Sequence, residues 1–237
     1  MIDRNLLQTE AAAFGVAMDE TALERFDRYS AELVRVNEHL NLTAITDPME
    51  VLYKHWLDSL AVLRYVEPED GAKCIDVGTG AGFPGVALLI ARPDLRMTLL
   101  DSTRKKLTFI AETLEMLELS AETLHLRAEE AGQMASYREQ FDLVTARAVA
   151  NLRELCEYCL PFLQIGGTFA AMKSVRTDEE IAEAQKALQL LGGKIESVQT
   201  FTLPYAGERT LILIKKISQT PPKYPRPSAK IAKQPLK

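Results

Sequence analysis

The stretch Cys74-Ile75-Asp76-Val77-Gly78-Thr79-Gly80-Ala81-Gly82-Phe83-Pro84-Gly85 restricts the possible folds more than any other part of the chain. A short apolar run ends in glycines, and the helical pattern Val86 to Ala91 follows at once. A buried parallel strand that turns sharply into a helix reads this way. Glycine permits backbone angles that side chains forbid, and it lets a ligand approach the main chain. Pro84 suits a first helical turn, where its missing N–H removes nothing useful. The free N–H groups of such a helix start favour an anion, phosphate or carboxylate.

The glycines admit two readings. Gly80-x-Gly82-x-x-Gly85 matches the dinucleotide fingerprint, while Gly78-x-Gly80-x-Gly82 matches the shorter nucleoside loop of class I methyltransferases. Both require an acid at the end of the next strand to hold ribose hydroxyls. Asp101 supplies it, closing Arg96 to Leu100 nineteen residues after Gly82. Asp76 favours the methyltransferase reading, because a dinucleotide-binding first strand usually stays apolar up to its glycines.

Strand and helix patterns alternate from there on, which predicts a doubly wound, mostly parallel sheet. The expected class is α/β: a Rossmann-like class I S-adenosylmethionine-dependent methyltransferase with seven strands and an N-terminal helical extension. Further strands are expected at Ala121 to Arg127, Phe141 to Ala146, Thr168 to Met172, Lys194 to Thr202 and Arg209 to Lys215, the last two antiparallel. Thr177-Asp178-Glu179-Glu180 has the form of a capping box. Residues 3–65 read as helical. Leu23, Phe26, Leu33, Val36 and Leu40 form one apolar stripe that ends near Asn41. Thr46 or Asp47 can cap the next helix, with Pro48 in its first turn. The expected divisions are a helical extension over 1–67, a methyltransferase domain over 68–216 and a basic Pro/Lys-rich tail over 217–237.

Composition excludes several classes. An apolar fraction of 47% and a charged fraction of 26% are those of an ordinary soluble globule. No long apolar run marks a signal peptide or a membrane span, so a cytoplasmic protein without membrane contact is expected. Cys156-x-x-Cys159 lacks the second pair that a zinc site needs, and buried, reduced thiols are expected rather than a metal. Net charge is −5, yet from Lys215 onward there are seven Lys/Arg and no Asp/Glu, leaving −12 on the body. An acidic globule with a basic tail points to a polyanion met locally. Lys223, Tyr224 and Arg226 are the expected contacts to that polyanion, with Tyr224 placed to stack on an unpaired base if it is a nucleic acid and Lys237 adding charge at the end. Pro221, Pro222, Pro225 and Pro227 are expected to hold that backbone extended.

In an open α/β sheet the ligand lies beyond the carboxyl ends of the strands. That rule collects Gly78 to Phe83, Asp101, Ala128, Glu129, Arg147 and Lys173 into one crevice. Asp101 is the candidate ribose ligand, and Glu129 stands where an adenine amino group could be met. Arg147 follows an apolar strand directly, so its head should emerge at the crevice to meet a phosphate or carboxylate. Lys173, at the end of the fifth strand, is a further cation of that crevice and a candidate contact for a polyanionic substrate.

The acceptor is narrowed by what the chain lacks. No Asn/Asp-Pro-Pro-Tyr follows the fourth strand, which argues against exocyclic adenine amines. No cysteine stands at its mouth, so attack on a pyrimidine carbon lacks a nucleophile. Guanine N7, with its in-plane lone pair, needs neither.

Several segments together resemble one family: Asn41-Leu42-Thr43-Ala44-Ile45-Thr46, Lys54-His55-Trp56-Leu57-Asp58-Ser59-Leu60, the glycine loop, Asp101-Ser102-Thr103-Arg104-Lys105-Lys106, Arg127-Ala128-Glu129-Glu130, Thr145-Ala146-Arg147-Ala148 and Lys223-Tyr224-Pro225-Arg226. The chain resembles the RsmG family, also called GidB, of bacterial 16S ribosomal RNA guanine-N7 methyltransferases. The resemblance runs from about residue 20 to the C-terminus. It implies S-adenosylmethionine contacts at Gly78, Phe83, Ala128, Glu129 and Arg147, with Asp101 nearby and Gly80 and Gly82 in the cofactor loop. It implies RNA-side roles for the His55 to Ser59 segment and for the tail, making Arg147 and His55 the candidate catalytic residues. Arg226-Pro227-Ser228-Ala229-Lys230 departs from the family pattern, which carries more Lys and Gly. The implied partner is 16S ribosomal RNA or a small-subunit precursor, and a monomer is expected. An RNA-binding assembly factor that keeps the fold without turnover is the alternative, followed by an NAD-dependent oxidoreductase.

Overall fold

In the computed structural model, residues 1–147, 150–174 and 177–236 are described; Ala148 and Lys237 lie outside them. Helices α1 (Arg4–Ala13) and α2 (Glu20–Leu40) come first. Asn41 ends α2 in the left-handed conformation, φ 49. Asp47 then accepts from the N–H groups of Met49 and Glu50, with Pro48 opening α3 (Pro48–Val51). That start runs unbroken through a π-helical segment, Leu52–Leu57, into α4 (Asp58–Tyr65). The π segment, which the helical periodicity does not predict, carries His55; such segments are rare and tend to mark functional sites.

The sheet is built from β1 (Lys73–Val77), β2 (Arg96–Asp101), β3 (Glu122–His125), β4 (Phe141–Arg147), β5 (Leu163–Lys173), β6 (Gly193–Leu203) and β7 (Gly207–Lys216). Its spatial order is β3-β2-β1-β4-β5-β7-β6, with β7 antiparallel to both neighbours. The connections are α5 (Gly85–Ala91), α6 (Arg104–Met116), α7 (Ala128–Ala131), α8 (Leu152–Cys159) and α9 (Asp178–Leu191). The expected seven-stranded, mostly parallel architecture is present, with two local differences. β5 begins at Leu163 rather than Thr168, taking in Gly166 and Gly167 beside a register shift against β4. The capping box at Thr177 does not form, because the Glu180 carboxylate is used by Lys173 and by the N–H of Leu152.

Alternate strand residues face two cores. Cys74, Leu99 and Leu143 pack with the N-terminal helices, including Phe26 and Trp56, whereas Ile75, Leu100 and Val144 pack with α8 and α9. α5 and α6 lie on the first of these faces, and the N-terminal helix α2 packs over them. Arg25 and Arg28 of α2 donate to the last carbonyls of α6 at Leu117 and Met116, where a helix favours cations.

The C-terminal segment corrects an expectation. It is not an extended solvated tail: it folds across α7 and α8 and forms α10 (Ser228–Lys233). Ile231 is fully buried and Leu236 nearly so. Tyr224 is only 5% exposed, so its ring is not presented for base stacking. Arg226 is bound by two nitrogens to the buried Glu157 carboxylate, at 2.8 and 2.7 Å. Arg138 donates to the carbonyls of Thr220 and Tyr224. The composition reads as solvated because these partners lie 69 to 86 residues away in sequence. Among the described residues, no helix is long and apolar enough to cross a membrane.

Candidate active site at the ends of the parallel strands

The glycine loop is shaped by two carboxylates. Asp76, fully buried in β1, accepts from the N–H of Gly85 at 2.9 Å and from the Thr145 hydroxyl at 2.8 Å. The anion expected at the start of α5 is thus the chain's own Asp76. Burial pushes the Asp76 carboxyl above its ordinary range, while its hydrogen bonds pull it back. A Cβ on Gly85 would lie 2.9 Å from Asp76 Cβ, so this latch needs glycine there. Asp101 at the end of β2 accepts from the N–H of Gly80 at 3.0 Å and from that of Thr103 at 2.7 Å. Gly78, Gly80 and Gly82 take φ values of 72, 61 and 94, which L side chains resist.

Two cavities open beyond the strand ends. One, of about 280 Å³, is lined by Gly78, Asp101, Ala128 and Glu129, with Glu154 and Tyr158 of α8 and Ser228 of the C-terminal segment. The other, of about 550 Å³, is lined by Lys54, His55, Asp58, Arg147, Lys173, Glu180 and Arg209. Ala150, after β4, borders both. The larger falls within the range common for ligand pockets, about 300–1,000 Å³, and the smaller just under it. Four cations and two carboxylates in the larger wall suit an anionic ligand.

Arg147 organises that wall. Its Nη1 donates to the Lys54 carbonyl at 3.0 Å and to Asp58 Oδ2 at 3.1 Å. Its guanidinium lies 4.9 Å from the Phe83 ring centroid and approaches His55 Nδ1 at 3.4 Å. Arg209 Nε contacts the other Asp58 oxygen at 3.2 Å, so one buried carboxylate joins two guanidinium groups. Lys173 Nζ is held by Glu180 at 2.8 Å and by the Ala150 carbonyl at 2.6 Å.

His55 lies flat on Phe83, with centroids 4.3 Å apart and 13° between the planes. Thr43 Oγ1 is 3.0 Å from its Nε2. Burial, helped by the charge of Arg147, pushes the His55 pKa down to about 3. The ring is therefore neutral near pH 7. Phe83 itself is 5% exposed, sandwiched among His55, Arg147 and Trp56, and is not among the lining residues of either cavity. It supports the two side chains above it. Gly80 and Gly82 likewise shape the loop without lining either cavity.

The structure thus brings Gly78, Asp101, Ala128 and Glu129 together at one cavity and His55, Arg147 and Lys173 at the other. Tyr224 and Arg226 are at neither. Asp58, named only within a longer segment, and Arg209, Tyr158 and Ser228 are site residues that sequence reasoning missed. Arg209 had a usable signal: an antiparallel last strand begins where the parallel ones end, and Thr210 indeed pairs with Lys173.

Residues 22–212 match the model of the GidB family, described as rRNA small subunit methyltransferase G. The chain is 47% identical over 235 residues to the ribosomal RNA small subunit methyltransferase G of Acetivibrio thermocellus, covering 98% of this chain and 96% of that one. It is 50% identical over 218 residues to the protein of the same name from Lactobacillus delbrueckii subsp. bulgaricus, covering 90% and 91%. Among solved structures, an S-adenosylmethionine-dependent O-methyltransferase from Thermotoga maritima superposes with a TM-score of 0.54 at 16% identity. The match covers 80% of this chain and 72% of that one, and shows a shared fold.

Proposed function

The chain belongs to the GidB family of rRNA small subunit methyltransferases, and from that membership we propose that it methylates N7 of a guanine in 16S ribosomal RNA with S-adenosylmethionine as donor. The observation that carries the reading is the pair of adjoining cavities. One is lined by Gly78 at the start of the glycine loop with the acids Asp101 and Glu129, the other by four cations, and they meet at Ala150.

The smaller cavity suits the donor. Gly78 offers bare backbone, Asp101 offers carboxylate oxygens for ribose hydroxyls, and Ala128 and Glu129 stand where the adenine would lie. Bound there, S-adenosylmethionine supplies an electrophilic methyl group. The residues around the larger cavity do the remainder. Lys54, Lys173 and Arg209 attract the RNA backbone, and Arg147, fixed by Asp58 and Phe83, orients the base. Guanine N7 held there would use its own lone pair, and the donor's sulfonium would supply both the methyl group and the leaving sulfur, with the positive charge ending on the base. N7 carries no proton, so no general base is required. That agrees with a His55 whose pKa of about 3 makes it a poor one. His55 acts by position, holding Phe83 and Arg147 in register. Alignment alone can supply roughly 7–11 kcal/mol of the barrier.

The same reading places the protein in the cytoplasm as a monomer that meets either 16S RNA or a small-subunit precursor. Primer extension on 16S RNA incubated with protein and donor, then reduced with borohydride and cleaved with aniline at N7-methylguanine, tests it. One new cleavage-dependent stop at a guanine is the expected result. Methylation of an exocyclic amine, or none with the donor bound, would overturn it.

A further inference from the structure

The aromatic residue expected to meet an unpaired base, Tyr224, is buried, and a different tyrosine occupies the kind of position such a contact needs. Tyr205 stands at the tip of the β6–β7 hairpin and is 60% exposed. Among the described residues it is the one Phe, Tyr or Trp with that much of its surface in water. A single exposed apolar residue is ordinary and by itself means nothing. Three further observations set this one apart.

First, the ring is held. Tyr53 lies behind it, nearly parallel at 24° with centroids 5.4 Å apart, and Tyr53 is itself buried with its hydroxyl bonded to Glu10. One face of Tyr205 is thus backed by a fixed aromatic. Second, the tip is shaped. Tyr205 adopts φ 58, a region uncommon for a bulky side chain, and the Ala206 N–H donates to the Leu203 carbonyl beneath it. Leu203 is buried, so the turn is anchored where it leaves the sheet. Third, the tip stands beside the larger cavity. Tyr53 belongs to the π-helical segment that also supplies Lys54 and His55, and Arg209, four residues after Tyr205, reaches Asp58 in the cavity wall. At about 3.4 Å per residue, no more than about 14 Å of chain separates tip and wall.

We propose that Tyr205 is a stacking platform for an unpaired base of the substrate RNA, flanking the guanine held in the larger cavity. This rests on the RNA-methyltransferase reading above. A rigid aromatic beside a cation-lined groove is the combination by which single-stranded nucleic acid is held: charge tracks the backbone and the ring takes a base face. The hydroxyl is not needed, and every base can stack, so the contact orients the strand without choosing its sequence.

The test compares wild type, Tyr205→Ala, Tyr205→Phe and Tyr205→Trp for affinity to a full-length 16S ribosomal RNA transcript and to S-adenosylmethionine. Tyr205→Ala should weaken RNA binding by about tenfold or more and leave donor affinity unchanged, which also shows that the protein is folded. Tyr205→Phe should bind RNA as wild type does. Emission of Tyr205→Trp should be quenched by RNA, against a background from the fully buried Trp56. Unchanged RNA affinity in Tyr205→Ala would overturn the proposal and leave the tip for a protein contact. A loss in Tyr205→Phe as large as in Tyr205→Ala would overturn it in favour of a hydroxyl contact. Failure of the wild-type protein to bind the transcript would instead overturn the functional reading on which it rests.

Discussion

Arg147 at the end of β4 and Asp58 at the start of α4 meet at 3.1 Å, which ties the N-terminal helices to the mouth of the sheet. Asp58 is buried and shared with Arg209, so if either guanidinium shifts the buried carboxylate loses one of the two cations that compensate it. The larger cavity is therefore a preformed wall. Arg147→Lys keeps the charge but loses the planar fork that serves Asp58 and Lys54 together. Methyl transfer should fall on the order of 10²-fold through misalignment, with RNA affinity changed far less. Single-turnover rates at saturating RNA check this; a wild-type rate would show that only charge mattered. Asp58→Asn should instead destabilise the fold, by roughly 3–5 kcal/mol as for a broken buried pair, read by urea unfolding.

Asp101 both caps the glycine loop and lines the smaller cavity, through its bonds to Gly80 and Thr103. Asp101→Ala removes an acceptor worth roughly 1.5–3 kcal/mol per charge-assisted bond. Calorimetry should show S-adenosylmethionine affinity falling by at least about tenfold. Asp101→Asn, which keeps one carbonyl oxygen, should fall between the two. Equal binding by all three proteins would remove Asp101 from the donor site.

The fold was legible wherever neighbours in sequence do the work. Asn41 stops α2, Asp47 and Pro48 start α3, and the glycines follow β1 because such signals act within a few residues. The π-helical segment was not legible, since a shift from four- to five-residue hydrogen bonding leaves no compositional mark. Nor was the packing of the C-terminal segment, whose Pro and Lys read as solvated while its partners sit on α8 and in the stretch between α7 and β4. Within the site, the packing of His55 and Arg147 on Phe83 was equally hidden, because the three come from distant parts of the chain.

His55 makes the protein sensitive to acid. Its folded pKa of about 3 lies below the ordinary value of 6.5, so the unfolded chain takes up a proton that the folded one refuses. Stability should thus be unaffected above about pH 6.5 and should fall as pH drops, by about 1.4 kcal/mol per unit until about pH 3. Between pH 7 and pH 5 the loss from this one group is about 2 kcal/mol. His55→Gln, compared by urea unfolding at both values, should lose correspondingly less. Activity should show no inflection from His55 between pH 6 and 9, because the ring stays neutral throughout.

The C-terminal segment bears on both fold and donor binding. Glu157 is fully buried, and Arg226 is the cation that balances it, at 2.7 Å. Two residues further on, Ser228 forms part of the smaller cavity's wall. Truncation after Ile217 removes Tyr224, Ile231 and Leu236 from the core and leaves Glu157 uncompensated. The melting temperature and the S-adenosylmethionine affinity should both fall, whereas a merely solubilising tail could be deleted with neither changed. Arg226→Ala alone should cost roughly 3–5 kcal/mol. Arg226→Met combined with Glu157→Leu should recover most of that, because the buried charge is then gone. Lys223, Lys230 and Lys233 are exposed, Lys223 with its ammonium 5.2 Å from the Tyr224 ring centroid, and are in reach of phosphate. Lys223→Glu should leave the melting temperature unchanged while weakening RNA binding and flattening its dependence on salt. If that variant binds RNA with the wild-type salt slope, the segment serves the fold and the donor alone.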